Sequence, residues 1–263
     1  MNNTYLENHT IELVSAANVS HTRILEIKEI IGNGASCIAY KAIDAGSGLP
    51  VIVKECYPRS TASREMTGAV SWKTMEDETS AKNRFRSAFE VQRKIQSADE
   101  TMNTNVHLID GLYEGNNTLY SVSDIQNAKT FDATKDSSLQ ETLITARAIA
   151  RAVGQFHALG FLHLDIKPQN ILILPETRDI VKLLDFDSVI QKSDVSRPGV
   201  SISYTHEYAA PELLQGKRSK LCEATDIYSV GAVVFSRIMG STPNADDRGT
   251  FSDWDLSDNR LFR

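Results

Sequence analysis

A cluster of polar residues between two apolar runs is the feature that most constrains the fold of this chain. In the stretch FLHLDIKPQNILIL, residues 161–174, the segment 163–170 carries His, Asp, Lys and Asn side chains. A helix-period pattern precedes the cluster, and the apolar run ILIL that follows it is typical of a short buried strand. Because rigid helices and strands usually present reactive groups on the loops that join them, the segment is predicted to be a functional loop.

The composition indicates a globular protein. With 263 residues, 41% of them hydrophobic, the chain can bury a substantial core in one large or two small domains. A formal net charge of −6 argues against a general nucleic-acid-binding surface. The sequence shows neither a signal-peptide pattern nor an apolar run of membrane-spanning length, and its three cysteines lack the CxxC spacing of a zinc site. We therefore expect a cytoplasmic protein with no nucleic-acid and no membrane partner.

The first half of the chain is predicted to be mainly sheet. Two β-prone runs, 23–31 and 37–43, flank a glycine-containing turn and predict a hairpin. LPVIVKECY adds a third run, and the turn signal Gly-Asn-Asn at 115–117 joins two more. The stretch RSTASREMTGAVSWKTMEDETSAK, residues 59–82, is expected to be a solvated insertion, with docking of a partner as the open alternative. One helix is expected on SAKNRFRSAFEVQRKIQSA, with an apolar face formed by Phe85, Ala88, Phe89, Gln92 and Ile95.

The second half is predicted to be mostly helical. Apolar residues recur at helical spacing through SSLQETLITARAIARAVGQFHALG, and Gly160 is the expected stop. The short runs NILIL and DIVKLLDF are expected to pair as a small hairpin. The composition changes near residues 125–135, where we place the hinge between two lobes. The predicted inner face of the helix consists of Leu139, Leu143, Ala146, Ala150, Val153 and His157.

The polar loop carries groups with complementary chemistry. Asp165 can accept a proton, Lys167 can stabilise a developing negative charge, and Asn170 can hold a divalent cation through its amide oxygen. Farther along the chain, Asp185 ends an apolar strand in KLLDFDSV, and its carboxylate can reach the same cation. Hard cations such as Mg²⁺ prefer oxygen ligands of this kind. These roles together are the ones that phosphoryl transfer requires.

The sequence also resembles the eukaryotic-type protein kinases, of the serine/threonine class. HLDIKPQN is similar to the His-Arg-Asp-Leu-Lys-Pro-Glu-Asn loop of that family, and DFD to its Asp-Phe-Gly motif. IGNGASCIA resembles the glycine-rich loop, VIVK the Val-Ala-Ile-Lys strand, YAAPE the Ala-Pro-Glu segment, and DIYSVG the start of a buried helix. Because the six motifs occur in the family's order between Gly32 and Gly231, chance is a poor explanation of the match.

The resemblance implies an α+β, bilobal fold. We expect an N-terminal extension at 1–22, an N-lobe with an antiparallel sheet and one helix at 23–124, and a mainly helical C-lobe at 125–263. Only 51 residues follow Glu212, so the C-lobe is expected to be incomplete or minimal.

The resemblance also implies site residues, with ATP and Mg²⁺ as cofactors. Lys167 and Thr205 match the serine/threonine version of the loops, so a protein serine or threonine hydroxyl is the expected acceptor, and autophosphorylation is a further expectation. The implied catalytic residues are Asp165 and Lys167, the implied nucleotide-binding residues are Gly32, Gly34, Lys54, Glu90, Asp124 and Ile125, and the implied metal ligands are Asn170 and Asp185.

Three departures from the family pattern keep alternatives open. Cys37 replaces the third glycine of the loop, Leu164 replaces the Arg that pairs with a phosphorylated activation loop, and Asp187 replaces the Gly of Asp-Phe-Gly. A nucleotide-binding pseudokinase or scaffold is therefore the second hypothesis. A small-molecule kinase ranks third, because Lys167 and the YAAPE and DIYSVG motifs belong to the protein-kinase pattern.

Overall fold

The structure is a computed structural model, and it describes residues 5–98, 109–124, 129–134, 138–174, 179–197 and 202–243. These residues fall into two compact units, one that ends at residue 124 and one that begins at residue 129. Within the described ranges, no helix is both long and apolar enough to cross a membrane.

A closed barrel of six antiparallel strands forms the centre of the first unit. Side chains along the strands alternate between a buried interior and an outer face, as strand geometry requires. The predicted hairpin of the first two β-prone runs is confirmed by the antiparallel pairing of Thr22–Asn33 with Cys37–Asp44. The elements of this unit are β1 (Thr10–Ser15), β2 (Thr22–Asn33), β3 (Cys37–Asp44), β4 (Pro50–Cys56), β5 (Ala62–Arg64), β6 (Val70–Trp72), α1 (Met75–Ala98), β7 (Gly111–Gly115) and β8 (Thr118–Asp124).

The N-terminal segment contributes a strand to this barrel. Strand β1 pairs with β2 on one side and with β7 on the other, where Val14 lies opposite Glu114. This second pairing closes the barrel, so part of the segment that the sequence describes as an extension belongs to the first unit.

The turn predicted at 115–117 is a two-residue hairpin loop. Gly115 pairs with Thr118, and the two residues between them, Asn116 and Asn117, have φ angles of 47° and 60°. Positive φ at both central positions defines a type I′ turn, which asparagine tolerates better than most residues. The local sequence therefore determines the register of β7 and β8.

The prediction of a solvated insertion at 59–82 is wrong in part. Strands β5 and β6 form a hairpin within this stretch, and α1 already begins at Met75. Val70 is buried against the barrel core, and the side chain of Arg64 is only 3% exposed. The stretch is therefore not wholly solvated, because it places one charged side chain inside the unit.

Helix α1 covers the outer face of the barrel sheet. Phe85 and Ile95 of the predicted apolar face are buried, while the other three members of that face are half-buried. Phe85 packs in a cluster with Cys37 and Cys56, which lie directly opposite each other on β3 and β4. The helix thus shields the sheet beside the glycine-containing turn.

Helices and short hairpins form the second unit. The predicted pairing of NILIL with DIVKLLDF is confirmed by an antiparallel ladder in which Ile171 lies opposite Leu183. The strands of this unit are β9 (Lys129–Thr130), β10 (Phe161–Leu162), β11 (Ile171–Ile173), β12 (Val181–Leu183) and β13 (Ile190–Gln191). The α-helices are α2 (Leu139–Ala158), α3 (Pro211–Leu214) and α4 (Glu223–Met239), and 3-10 turns lie at Phe131–Thr134, Pro168–Asn170, Phe186–Ser188, Lys192–Asp194 and Arg218–Lys220.

Local signals set the ends of α2, but its predicted apolar face is wrong in part: Val153 and His157 are buried, whereas the other members are exposed or half-buried. Ser138 and Glu141 form a reciprocal capping box at the start, and Gly160 follows the end with φ of 84°. Leu139 and Leu143, predicted to be buried, are 60% and 53% exposed. The helix instead packs with small residues toward α4 and the strands of the unit, and such residues allow helices to approach closely. The buried residues of α2 are Thr142, Thr145, Ala148, Ile149, Ala152, Val153, Phe156 and His157.

Candidate active site

The polar loop between β10 and β11 brings three side chains into one hydrogen-bonded triangle. The ammonium group of Lys167 lies 2.8 Å from Asp165 Oδ2 and 2.9 Å from Thr205 Oγ1. The Thr205 hydroxyl donates to Asp165 Oδ1 at 2.6 Å. Both carboxylate oxygens of Asp165 therefore have a donor, and one of those donors is a hydroxyl group. The geometry shows that a hydroxyl can be bound at this carboxylate next to a fixed positive charge.

Asn170 fixes the other side of the same carboxylate. Its amide nitrogen Nδ2 donates to the backbone oxygen of Asp165 at 2.9 Å and to Asp165 Oδ2 at 3.2 Å. Because the nitrogen makes both contacts, the planar amide directs its oxygen Oδ1 away from Asp165. Asn170 is buried on the short turn Pro168–Asn170, so its orientation is held by the fold.

Asp185 lies next to Asn170 because of the hairpin between them. The backbone amide of Leu184 donates to the backbone oxygen of Asn170 at 2.9 Å, which extends the β11–β12 ladder to the end of the strand. Asp185 is the next residue along the chain. An amide oxygen and a carboxylate at one end of a hairpin are ligands that Mg²⁺ accepts, so these residues fit the metal that the resemblance implies.

In the part of the chain that the structure describes, no three His, Cys, Asp or Glu side chains cluster as metal ligands. Asp187, two residues after Asp185, therefore does not complete a carboxylate cage with its neighbours. A Mg²⁺ ion held by Asn170 and Asp185 would take its remaining ligands from water and phosphate oxygens, as Mg²⁺ commonly does in proteins.

A buried carboxylate on α4, that of Asp226, binds the backbone of the polar loop. Asp226 has no exposed surface, and its two oxygens accept hydrogen bonds of 2.8 Å from the backbone amides of His163 and Leu164. Asp226 Oδ2 also lies 2.8 Å from His157 Nε2. These bonds compensate for the loss of hydration that burial of a carboxylate would otherwise impose. The backbone of the loop is thus hydrogen-bonded directly to α4 and, through Asp226, linked to His157 of α2.

His163 is a structural residue of the loop. Its Nδ1 accepts a hydrogen bond from the backbone amide of Asp165, so its Nε2 carries the proton that is donated to the backbone oxygen of Leu184 at 3.1 Å. The imidazole ring lies 5.7 Å from the ring of Phe156 and 6.1 Å from that of Phe186. His163 therefore links the loop to the segment that carries Asp185.

Backbone strain is concentrated beside these groups. Five described residues other than glycine have positive φ, and three of them are asparagines, which tolerate this region. The other two are Leu164, with φ of 64°, and Asp185, with φ of 61°. Aspartate tolerates this region much as asparagine does, whereas for Leu164 such a value is costly and persists only because the surrounding structure enforces it.

The side chain of Leu164 points into an apolar cluster. It is buried together with Ile190, Val195 and Ala209, which belong to the segment between Asp185 and α3. Leu213 of α3 and Leu221 complete the cluster. The segment is consequently attached to the polar loop by apolar packing at the position where the kinase family has an arginine.

In the first unit, two predicted residues, Gly32 and Lys54, lie on the strands that flank β3. Ala39 of β3 pairs with Gly32 on β2 and with Lys54 on β4. Lys54 is half-buried on the outer face of the sheet, the face that α1 covers, and it lies opposite Ser121 of β8. Neither Gly32 nor Gly34 has positive φ, so the backbone conformation at these positions does not require glycine.

The other predicted residues, Glu90, Asp124 and Ile125, are either exposed or outside the described residues. Glu90 is exposed on α1, and Asp124 is exposed at the end of β8, opposite Val51. Ile125 lies outside the described residues. The nucleotide-binding roles of Glu90, Asp124 and Ile125 stay predictions.

Sequence reasoning missed two groups that the structure makes prominent. Asp226 was part of a motif but had no assigned role, although an Asp that begins the apolar run DIYSVGAVVF is a signal of a buried, hydrogen-bonded carboxylate. Glu55 and Arg64 form an ion pair inside the first unit. No local pattern connects these two residues, so that pair had no signal in the sequence.

Comparison with known proteins establishes the family. The model of the protein kinase domain matches residues 25–259, so the chain belongs to the protein kinase family. A solved structure described as PpkA-294 apo form has the same fold, with a TM-score of 0.64 and 23% identity over 83% of this chain and 76% of that one.

Two mammalian kinases are among the proteins similar to this chain in sequence. Myosin light chain kinase family member 4 of Mus musculus is 21% identical over 262 residues, which cover 95% of this chain and 61% of the relative. Death-associated protein kinase 2 of Homo sapiens is 26% identical over 209 residues, which cover 76% of this chain and 54% of the relative. The chain thus spans between about half and three fifths of the length of these two proteins.

Proposed function

We propose that this chain is an ATP- and Mg²⁺-dependent protein kinase that transfers the γ-phosphate to serine or threonine hydroxyls of a protein substrate. The observation that carries the proposal is the triangle of Asp165, Lys167 and Thr205. A bound hydroxyl beside a carboxylate and a fixed ammonium group is the arrangement that hydroxyl activation requires.

In the proposed reaction, the acceptor hydroxyl approaches Asp165, which orients it and accepts its proton. The oxygen forms a bond to the γ-phosphorus while the bond from that phosphorus to the β–γ bridging oxygen breaks, and ADP leaves. Lys167 neutralises negative charge that develops on the transferred group. Most of the rate enhancement in such reactions comes from positioning and electrostatic stabilisation, which a loop anchored on Asp226 is suited to provide.

Asn170 and Asp185 are the proposed Mg²⁺ ligands. When bound there, the ion would supply positive charge that offsets the negative charge of the phosphates. The amide orientation of Asn170, fixed by its two bonds to Asp165, supports this assignment because it directs an oxygen away from the acceptor carboxylate.

The barrel unit is the proposed N-lobe and holds the nucleotide. Gly32 and Gly34 would cover the phosphates, Lys54 would bind the α- and β-phosphates, and Asp124 with Ile125 would contact the adenine. The pairing of Ala39 with both Gly32 and Lys54 supports this role, because it places the glycine-containing strand and the lysine on either side of β3 at the same level of the sheet.

A nucleotide-binding pseudokinase is the second candidate, and the exposure of Glu90 favours it. An active member of the family is expected to pair its helix glutamate with the strand lysine, whereas Glu90 lies on an exposed face of α1. Asp187 adds a negative charge beside the proposed metal site, which also favours this candidate.

The test is transfer of labelled γ-phosphate from ATP and Mg²⁺ to the protein itself and to a generic basic protein. We expect transfer by the wild type, and a loss of 10²-fold or more in both Asp165→Asn and Lys54→Met. Nucleotide binding, followed by titration with a fluorescent ATP analogue, should persist in Asp165→Asn and weaken in Lys54→Met.

Two other outcomes would change the assignment. A wild-type protein that binds the analogue but transfers nothing to either acceptor is the pseudokinase. A protein that phosphorylates small alcohols or aminoglycosides but no protein belongs to the small-molecule kinases. Glu207→Gln, a change at a carboxylate outside the triangle, serves as the control for the loss of a negative charge.

A further inference from the structure

A fully buried carboxylate lies inside the barrel, one residue after the proposed phosphate-binding lysine. Glu55 is on β4 and has no exposed surface, while its neighbours on the inner face of the strand, Val51 and Val53, are apolar. A charge in such a position is unfavourable unless donors surround it. The structure supplies four hydrogen-bond donors to the carboxylate of Glu55.

The donors come from three elements. The guanidinium of Arg64 binds the carboxylate in bidentate fashion, with Nη1 2.7 Å from Oε1 and Nη2 2.6 Å from Oε2. The hydroxyl of Tyr120 donates to Oε1 at 2.7 Å, and that of Tyr40 donates to Oε2 at 3.0 Å. Every oxygen of Glu55 therefore has two donors, and β3, β4, β8 and the β5–β6 hairpin meet at one group.

Two further contacts hold the guanidinium of Arg64 in this position. Its Nη1 donates to the backbone oxygen of Gly68 at 3.0 Å, and its guanidinium stacks 4.7 Å from the ring centre of Tyr57. Burial alone would lower the pKa of Arg64, but the hydrogen bonds and charge of Glu55 outweigh burial and raise it. Burial raises the pKa of Tyr40 and Tyr120, and the charge of Glu55 raises it further, so both remain donors.

The ion pair bears on Lys54 through the alternation of the strand. Consecutive side chains of β4 point to opposite faces, so a bond that holds Glu55 inside the barrel holds Lys54 on the outer face, between Ala39 and Ser121. If β4 shifted by one residue against its neighbouring strands, Lys54 would point into the barrel and Glu55 would lie on the outer face. Because a bidentate pair is geometrically specific, it selects one register of β4 against its neighbours.

We propose that Arg64 is a positioning residue for nucleotide binding: through Glu55 it fixes the register of β4 and thereby the place of Lys54. The inference rests on the role proposed above for Lys54. It also assigns a role to the β5–β6 hairpin, which delivers Arg64 into the barrel and so becomes part of the nucleotide-binding unit.

The experiment compares Arg64→Met, which keeps the length of the side chain and removes its charge, with the wild type. We expect KM for ATP and the dissociation constant of a fluorescent ATP analogue to rise at least 10-fold, with a smaller change in kcat. Arg64→Lys should restore part of the affinity, because it returns the charge without the bidentate geometry.

A second ion pair of the same barrel provides the matched control. Arg23 on β2 binds Asp44 at 2.6 Å, and neither residue is on β4. We expect Arg23→Met to lower the melting temperature without raising KM for ATP. If Arg64→Met lowers the melting temperature in the same way and leaves KM for ATP unchanged, Arg64 is only structural and the proposal is wrong.

Two further measurements keep the test decisive. If Arg64→Met does not fold, the double variant Glu55→Gln/Arg64→Met, which buries no unpaired charge, replaces it, and normal analogue affinity in that variant overturns the proposal. If the wild type binds no nucleotide, the proposed function fails, but the register claim is still tested by hydrogen exchange. Amides of β4 should then lose protection in Arg64→Met relative to Arg23→Met, and equal protection overturns the claim.

Discussion

The backbone amide of Leu164 donates a hydrogen bond to Asp226 Oδ1 at 2.8 Å. Leu164 has φ of 64°, and the residue that holds it there is a carboxylate with no exposed surface. The strained backbone of the loop and the buried charge of the helix thus compensate each other: each would be unfavourable alone.

We therefore expect Asp226→Asn to lower the free energy of unfolding by about 2–3 kcal/mol. The NH₂ group of the new side chain would face a backbone N–H group, and two donors cannot form a hydrogen bond. Urea unfolding followed by circular dichroism measures the change. Glu223→Gln, on the same helix but at an exposed carboxylate that binds Lys192, is the control and should cause a much smaller loss. Equal losses in the two variants would contradict the anchoring role.

Restoring the arginine of the family at position 164 is expected to harm this protein. Leu164→Arg places a charge in the apolar cluster with Ile190 and Val195, and we expect a loss of about 3 kcal/mol or more in unfolding free energy. Leu164→Met, which keeps volume and polarity, should cost less than about 1.5 kcal/mol. Thermal unfolding of both variants tests this, and a stable Leu164→Arg protein would show that the cluster accommodates a charge.

If the proposed function is correct, transfer should not depend on phosphorylation of the segment between Asp185 and α3. That segment is attached to the loop by apolar contacts of Leu164 rather than by a phosphate-binding arginine. We expect initial transfer rates to stay within about twofold after phosphatase treatment, since no charge pairing is lost. Removal of phosphate is checked by mass spectrometry, and a large fall in rate would require another cationic partner for the segment.

The stability of the barrel should depend on pH through Asp44. Burial alone would raise the pKa of this carboxyl, but hydrogen bonds from the Ser47 amide and from Arg23 outweigh it and lower the pKa below its ordinary value. A lowered folded-state pKa means that the ionised group stabilises the fold above about pH 4, and that this contribution is lost as the pH falls through the folded pKa.

Asp44→Asn should accordingly be less stable than the wild type at pH 7 and lose less stability between pH 6 and pH 3. Urea unfolding at a series of pH values gives both slopes. Glu114→Gln, which removes an exposed partner of Arg86, is the control and should leave the slope close to that of the wild type. Parallel curves for wild type and Asp44→Asn would refute the assignment.

Two glycines should respond in opposite directions to alanine. A Cβ at Gly115 would lie 2.7 Å from Leu13 Cδ2 and 2.9 Å from the backbone oxygen of Glu12, so Gly115→Ala should cost about 1–3 kcal/mol. A Cβ at Gly154, inside α2, meets nothing within 4 Å, and Gly154→Ala should stabilise the protein by about 0.5–1 kcal/mol. Melting temperatures of the two variants relative to the wild type test both signs.

Features encoded locally could be predicted from the sequence. Strand periodicity predicted the hairpin of β2 and β3, and the pair Asn116 and Asn117 predicted the turn between β7 and β8, because both signals depend on neighbouring residues. The grouping of polar residues at 163–170 predicted a loop for the same reason.

Features that depend on distant residues could not be predicted. The buried face of α2 includes Thr142 and Thr145 because the elements packed against it decide which face is inside, and that information is absent from the helix itself. The bond between Asp226 and Leu164 joins residues 62 positions apart. The sequence around Arg64 does not distinguish it from an exposed polar residue, because only the fold of the barrel brings its partner Glu55 beside it.

Closure of the barrel has a consequence for how the first unit can be recognised. Each of its six strands has hydrogen-bonded neighbours on both sides, including β1 and β7, which join the ends of the sheet. Where β1 and β7 pair, at Val14 with Glu114 and at Ser15 with Tyr113, an extended peptide cannot add a strand, the route that open sheets offer both to ligands and to aggregation. At these positions a protein that binds the barrel must contact side chains rather than unpaired backbone groups.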